Sequence, residues 1–537
     1  MAIEADPNAT LSAPVLLQLG NEYVNIGESE VALELYEQAL QLDSSRKIPV
    51  LLARGKIYGS QEKWDLALEC FEQILELDPN HFDALNFKIA CLNLLARTDE
   101  EVAALRRILA LRPNLQMHSR LLFAMLYVAD TTPESVYDES RRWFELYGAP
   151  LARNTRSHGN DPDPNRKIKI AYLSPDLRVA PGSRYHTIMK LLPAVFDSHD
   201  HAQLDVSFYS IGSLEGNVSE HLAETNRVVQ LRPSPDEIAA QARADEIDIL
   251  IDLAGHTMEA AAHLVFAMKP APLQVSWLGM NSTTGMPTID YYVGDAHSPC
   301  RGTEHLFSET VYRLPRVYCS YRPTADIGIA ESPFFRNGYI TFGSFNDPSK
   351  ITRDVIKLWS VILHLAPGSK LFFKFRNLER PIVQQRLRNW LLEDGVSAER
   401  IRFEGASAAF EYLCKWGEVD VALDPYPYNG ETTTLDALWM GVPVVTLAGR
   451  LAVSCCGADM LSAVGLPVAY TAEAYIQTAL FLVDNIPRTP GIRRNVRQAI
   501  VGSTLMDEKG LIRAVETAYR EMWIKWCRGR IGTENER

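Results

Sequence analysis

A segment that repeats itself limits what a chain can fold into more than any composition does. The run ALELYEQALQLDSS (32–45) returns as ALECFEQILELDPN (67–80) and again as EVAALRRILALRPN (101–114), a spacing of 35 and then 34 residues. A period of this length is one supersecondary unit that cannot bury its apolar face alone, so the copies must stack in a row. Gly20, Tyr23, Ala32, Tyr36 and Ala39 of the first copy match Gly55, Tyr58, Ala67, Phe71 and Ile74 of the second, and Pro79 and Pro113 close the second and third. In the third copy Ile89 stands at the glycine position and Glu101 at the alanine position.

This pattern resembles the tetratricopeptide repeat, a two-helix unit whose small residues let helices approach while aromatics fill the gap. The resemblance implies a solenoid over 1–116 that holds a polypeptide partner. Residues 1–116 carry 18 acidic and 10 basic side chains, so −8 of the total charge of −13 lies in this first fifth. Such a surface does not attract phosphate backbones, which argues against nucleic acid as a partner.

Beyond 116 the period fades into two helices separated by DTTPES (130–135), which read as a helical linker over 117–166 ending in the polar, proline-rich RSHGNDPDPNRK. Strand-like runs KIKIAYL (167–173), LDVSFYSI (204–211), IDILIDL (247–253) and LQVSWLG (273–279) then alternate with helical stretches. A second series begins at YITFGSF (339–345) and continues through KLFFKF (370–375), IRFEG (401–405), DVALDPY (420–426) and PVVTLAG (443–449). Alternation of this kind predicts two doubly wound, mostly parallel α/β halves, at 167–336 and 337–505, with a ligand cleft at the carboxyl ends of their strands. The remainder, 506–537, reads as a long amphipathic helix packing back on those halves.

No 18 apolar residues run together, and the N-terminus MAIEADPNATLSAPVLL lacks a basic segment before an apolar one, so neither a membrane span nor a signal peptide is predicted. The eight cysteines form no C-x-x-C pair and no metal-ligand spacing with histidine, which predicts reduced thiols in the cytoplasm and no metal site.

One stretch points to chemistry: DVALDPYPYNGETTTLDALWMG (420–441). A buried strand ends near Leu423, two prolines forbid helix up to Asn429-Gly430, and helix starts among Glu431 to Thr434, where hydroxyl side chains serve as caps. A helix N-terminus aimed at a cleft offers unpaired N–H groups and the positive end of the macrodipole, a place for a diphosphate. Thr432 and Thr433 add hydroxyl donors, and Asp436, one turn on, is positioned to accept from ribose hydroxyls. The plain alternative is a capping box followed by a surface Asp.

NGETTTLDALWMGVPVVTL resembles the nucleotide-sugar segment of the O-linked N-acetylglucosamine transferase and SPINDLY family, glycosyltransferase family 41, in its bacterial form. DILIDLAGHT (248–257), KPAPLQVSWLGMNSTTGMPTIDYYVGD (269–295) and FGSFNDPSKITRDVIKLWSVIL (342–363) resemble the family's other signature segments in the same order. The resemblance covers about residues 13–526. It implies a GT-B fold and inverting transfer of a sugar from a nucleotide diphosphate, UDP-N-acetylglucosamine or another UDP- or GDP-sugar, to a Ser/Thr hydroxyl of a protein held by the repeats. It implies no metal, and no cofactor beyond that donor.

Lys350 matches the family lysine that meets the diphosphate, and Asn429, Gly430, Glu431, Thr432, Thr433 and Asp436 match its donor segment. Thr283 and Thr284, in the loop NSTTG (281–285), read as a further donor contact. Three departures qualify the carry-over. Glu431 stands where the animal enzymes have His, Ala180-Pro181-Gly182 where a His is expected, and Cys455 where many relatives carry Arg. Two imidazoles are candidates for the catalytic base: His256, at a strand end and expected to line the cleft, and His186, expected near the acceptor; the leaving phosphate is the third. A scaffold that has lost catalysis, or a GT-B enzyme of another class such as a nucleotide-sugar epimerase, are the competing readings.

Overall fold

A computed structural model describes residues 12–179, 190–212, 217–218, 220–257 and 259–535. His186 and Ala180-Pro181-Gly182 therefore lie outside the described residues. The chain divides into two compact units, 1–114 and 115–537.

The first unit is three helix pairs: α1 (Ala13–Asn25) with α2 (Ser29–Leu42), α3 (Lys47–Ser60) with α4 (Trp64–Leu77), and α5 (Phe82–Leu94) with α6 (Thr98–Leu111). Within each of the first two pairs a glycine lets the helices close on an aromatic ring. A Cβ on Gly20 would lie 2.4 Å from Cε1 of Tyr36, and one on Gly55 would lie 2.6 Å from Cε1 of Phe71. In the third pair Ile89 is itself fully buried, and the buried Glu101 accepts a hydrogen bond from Nδ2 of Asn93 at 3.2 Å. A polar clasp there substitutes for the small-residue contact of the other two.

The second unit opens with α7 (Leu115–Met125) and α8 (Pro133–Trp143), which lie against the first of two parallel sheets. That sheet has seven strands: β1 (Ile168–Ser174), β3 (Leu204–Ile211), β5 (Arg227–Leu231), β6 (Ile249–Asp252), β7 (Leu273–Ser276), β8 (Tyr291–Gly294) and β9 (Thr310–Arg313). Their order is β5-β3-β1-β6-β7-β8-β9, every pairing parallel, with Ile170 of β1 opposite Ile249 of β6. A two-residue antiparallel ladder, β2 (Arg178–Val179) with β4 (Asn217–Val218), stands apart from it. The second sheet holds β10 (Thr341–Ser344), β11 (Lys370–Lys374), β12 (Ile401–Glu404), β13 (Val421–Leu423) and β14 (Val444–Val445), ordered β12-β11-β10-β13-β14 and again parallel. Near-continuous burial of β1, β6, β7 and β10 is what a parallel sheet covered on both faces demands.

In each sheet the strand order reverses beside the first strand, between β1 and β6 and between β10 and β13. Loops leaving the two strands of such a reversal diverge to opposite faces and open a crevice, where ligands of doubly wound folds bind. The 28-residue helix Glu508–Asn535 packs against the first half: Glu516 accepts from Asp200 N at 2.8 Å and pairs with His199 at 2.9 Å, and Arg520 donates to the carbonyls of Pro164 and Arg166.

Candidate donor-binding site

The reversal in the second sheet brings together two loops that are 80 residues apart in sequence. After β10, Phe345 to Asp347 lead into a single 3₁₀ turn, Pro348–Lys350, begun by Asp347 accepting from Ser349 N at 2.9 Å. After β13, Asp424 starts the proline-rich loop, and the helix Thr432–Trp439 follows. Lys350 Nζ crosses between them, donating to the Asn429 carbonyl at 2.7 Å and lying 4.1 Å from the Tyr428 ring centroid.

Asp424 shapes the turn. Its Oδ1 accepts from Gly430 N at 2.6 Å and its Oδ2 accepts from the Thr446 hydroxyl at 2.6 Å. Burial pushes its carboxyl up to about 7, against the pull of Thr446, Gly430 and Lys350. Gly430 is needed for packing, since a Cβ there would meet Thr433 Oγ1 at 2.5 Å, Thr434 Oγ1 at 2.7 Å and Asp424 Oδ1 at 2.8 Å. Asn429 is fully buried and donates through Nδ2 to the carbonyls of Pro425 and Leu447.

The helix begins at Thr432, inside the predicted window, but no hydroxyl caps it. Glu431 is the N-cap residue and makes no capping hydrogen bond. Its carboxyl turns away and accepts from the Tyr318 hydroxyl of the first half. Burial raises the Glu431 carboxyl, and Tyr318, Lys350 and Asn281 pull it back. Thr433 donates to Asn346 Oδ1 at 2.9 Å, which ties the helix to the β10 loop. An uncapped helix start facing a lysine can receive an anion. The same burial depresses the Lys350 ammonium, and the nearby Asp424 and Glu431 raise it again.

Asp436 is 1% exposed and already satisfied: Lys190 Nζ donates to Oδ2 at 2.5 Å and the Tyr321 hydroxyl to Oδ1 at 2.7 Å. The surface aspartate of the capping-box alternative is therefore absent from this position. Any ligand hydroxyl reaching Asp436 must share it with those two groups.

Three of the expected residues in the first half stand in buried surroundings. The Thr283 and Thr284 hydroxyls are already engaged within the fold. Both hydroxyls and the Thr284 amide donate to buried Glu309, at 2.7 Å from Thr283 and 2.7 Å from the amide. His256 is buried too: it is 3% exposed, packed edge-on against Trp143 and His263 with centroids 4.8 Å away in each case, and pairs with the Thr284 carbonyl at 3.3 Å. Burial, with His263 beside it, holds the His256 imidazole well below its ordinary value. A strand-end position marks the edge of a sheet, but α7 and α8 cover this one: Ser119 of α7 lies 3.4 Å from His256 Nδ1 and accepts from Trp143 Nε1 of α8 at 2.9 Å.

The cysteine expectation is corrected. Cys300 and Cys455 are joined in a disulfide across 155 residues of sequence, a separation at which spacing carries no signal. The other six cysteines are free. Among the described residues, no group of three or more His, Cys, Asp or Glu side chains could hold a metal ion, and no helix is long and apolar enough to cross a membrane.

Tyr318, Tyr321, Lys190 and Tyr428 carry no signal in the sequence and complete the site, with Asn281 of the NSTTG loop beside Tyr318. Tyr428 lies between the Lys350 ammonium and Tyr127, whose ring centroid is 4.7 Å away just beyond α7.

Two doubly wound halves with an uncapped helix start and a lysine at the second reversal, preceded by tetratricopeptide repeats, define a GT-B protein of the repeat-bearing class. The chain belongs to glycosyltransferase family 41: the family's profile, described as glycosyl transferase family 41, matches residues 151–320 and 334–515. Tetratricopeptide profiles match residues 13–46 and 48–81. Barley (Hordeum vulgare) has a similar protein described as a probable UDP-N-acetylglucosamine–peptide N-acetylglucosaminyltransferase SPINDLY, 32% identical over 76% of this chain and 43% of its own length. Its Arabidopsis thaliana counterpart is 31% identical over 76% of this chain and 45% of its own. The chain thus spans less than half the length of these relatives. A solved structure of a mutant Thermobaculum terrenum O-GlcNAc transferase is similar over 96% of this chain and 98% of its own, with TM-score 0.80 and 30% identity.

Proposed function

We propose that the chain is an inverting protein O-glycosyltransferase, moving N-acetylglucosamine or a similar sugar from a nucleotide diphosphate to a Ser/Thr hydroxyl of a protein held by the repeats, in the cytoplasm. UDP-N-acetylglucosamine is the first donor to test, because the similar proteins are described by it; other UDP- and GDP-sugars follow. The observation that carries this reading is the uncapped start of the Thr432–Trp439 helix with Lys350 Nζ beside it.

In the transfer the acceptor oxygen attacks the anomeric carbon as its bond to the diphosphate breaks, and the pair of electrons leaves on a phosphate oxygen. Lys350, the first-turn N–H groups and the Thr432 and Thr433 hydroxyls meet that charge, and fixed donors are worth most where charge develops. Asp424 and Glu431 both carry raised carboxyl values, so each opposes a dianion less than an exposed carboxylate would. The acceptor proton needs a receiver. Buried His256 is not it in this reading; the leaving phosphate takes the proton, with His186 assigned to the acceptor side.

Calorimetry of the full chain with UDP, GDP and their sugar conjugates tests the reading, followed by mass spectrometry of a protein acceptor. Binding of at least one diphosphate and a hexose- or hexosamine-sized mass gain are expected. A folded protein that binds none of them is a scaffold.

A further inference from the structure

We propose that Cys300 and Cys455 form a reversible thiol–disulfide latch that fastens the two catalytic halves together beside the donor turn. Cys300 follows β8 in the first half and is half-buried next to exposed Arg301 and Gly302. Cys455 is 2% exposed in the second half and is the N-cap residue of the helix Cys456–Ala463. Their Cα atoms are 6.7 Å apart, and both sulphurs face the Gly449 carbonyl, Cys300 Sγ at 2.7 Å and Cys455 Sγ at 3.5 Å. Two residues past Cys455, Gly457 N donates to Asn429 Oδ1 at 3.4 Å, and the Asn429 carbonyl holds Lys350 at 2.7 Å. The bond therefore ties the wall of the donor turn to the other half. Control of donor release by this bond rests on the donor reading above; the latch itself does not.

The two sulphurs are unequal, and that sets the chemistry. A glutathione thiolate reaches the half-exposed Cys300 sulphur first. The S–S bond breaks and its electron pair leaves on Cys455 Sγ, where the N-terminus of the Cys456–Ala463 helix stabilises a thiolate. A second glutathione thiolate attacks the glutathione sulphur of the mixed disulfide and frees Cys300. Both protein thiolates take protons from water, so two glutathiones become one glutathione disulfide and the protein gains two thiols. Glutathione disulfide drives the reverse.

The full chain is equilibrated in glutathione buffers of differing ratio, quenched in acid, unfolded in guanidinium, alkylated with N-ethylmaleimide and weighed, since five of the six free cysteines are buried in the fold. Six labels are expected under oxidation, for the six free cysteines, and eight under reduction. Amide exchange of residues 296–302 and 449–456 should speed up about tenfold or more on reduction, and UDP release should quicken about fivefold or more. Reduced, alkylated wild type and Cys300→Ser should behave as reduced in every buffer. Eight labels in glutathione disulfide, or equal exchange in the two states, overturns the latch. Equal UDP release with unequal exchange overturns its control of the donor site. Failure to bind either UDP or GDP removes the donor reading, while labels and exchange still decide the latch.

Discussion

Tyr321 donates its phenolic hydrogen to Asp436 Oδ1 at 2.7 Å, and Lys190 Nζ occupies the other oxygen at 2.5 Å. A tyrosine and a lysine outside the second sheet thus hold one carboxylate on the helix that starts the donor site. Removing one partner of a buried ion pair costs about 3–5 kcal/mol, because the charge left behind is unpaired. Asp436→Ala should therefore lose roughly 3 kcal/mol in urea unfolding, and Asp436→Asn less. A loss under about 1 kcal/mol would show that the pair contributes no more than an exposed one.

Lys350→Ala should lower transfer by about 100-fold or more, since one electrostatic donor to a leaving oxyanion is typically worth that much. The fold should survive, because the lysine's one hydrogen bond goes to a loop carbonyl, that of Asn429. Turnover above about a tenth of wild type would remove Lys350 from the leaving-group site.

Much of this was legible in the sequence, and the exceptions have physical causes. β5 and β9 are outermost strands with partly exposed residues, so neither gives a buried-run signal. β8, YYVG, is buried throughout and passes unread because it follows directly on a turn-rich stretch, NSTTGMPTID, with no helix before it. The loops that carry Lys350 and Thr433 meet because two neighbouring strand ends emit them side by side. Tyr318, Asn281 and Lys190 arrive from the other half, and no local period predicts such a meeting. For His256 a strand end says where an edge is and nothing about the helices that cover it.

The paired variant Thr432→Val and Thr433→Val should weaken UDP by about tenfold or more yet leave uridine nearly unchanged, as hydrogen bonds to a charged group contribute roughly 1.5–3 kcal/mol each. Thr433→Val alone also frees Asn346, so the Thr432 single variant is the cleaner phosphate probe. Equal weakening of uridine and UDP, by calorimetry, would move the phosphates elsewhere.

Asp424 makes stability pH-dependent with a definite sign. Its carboxyl is raised from 3.8 to about 7 on folding, so the folded state holds the proton more tightly. The stabilisation is complete below about pH 4 and is lost as pH rises through about 7. Relative to wild type, Asp424→Asn should gain stability from pH 5 to pH 8, by an amount on the order of a few kcal/mol. Parallel denaturation curves at both pH values would refute it.

Deleting residues 1–114, which form a compact unit of their own, should leave UDP affinity within about twofold and cut modification of a protein acceptor about tenfold or more. Undiminished modification would mean that the acceptor docks elsewhere.

Gly430 has a consequence for how such a site can change over generations. With the Thr433, Thr434 and Asp424 side-chain oxygens 2.5, 2.7 and 2.8 Å from where a Cβ would stand, a side chain at 430 must displace groups that shape the turn carrying Lys350's acceptor. The neighbouring position 431 sends its side chain out of the turn, to Tyr318, and is free of that restriction. A change at 430 is therefore tied to the three side chains around it, while a change at 431 answers to Tyr318 instead.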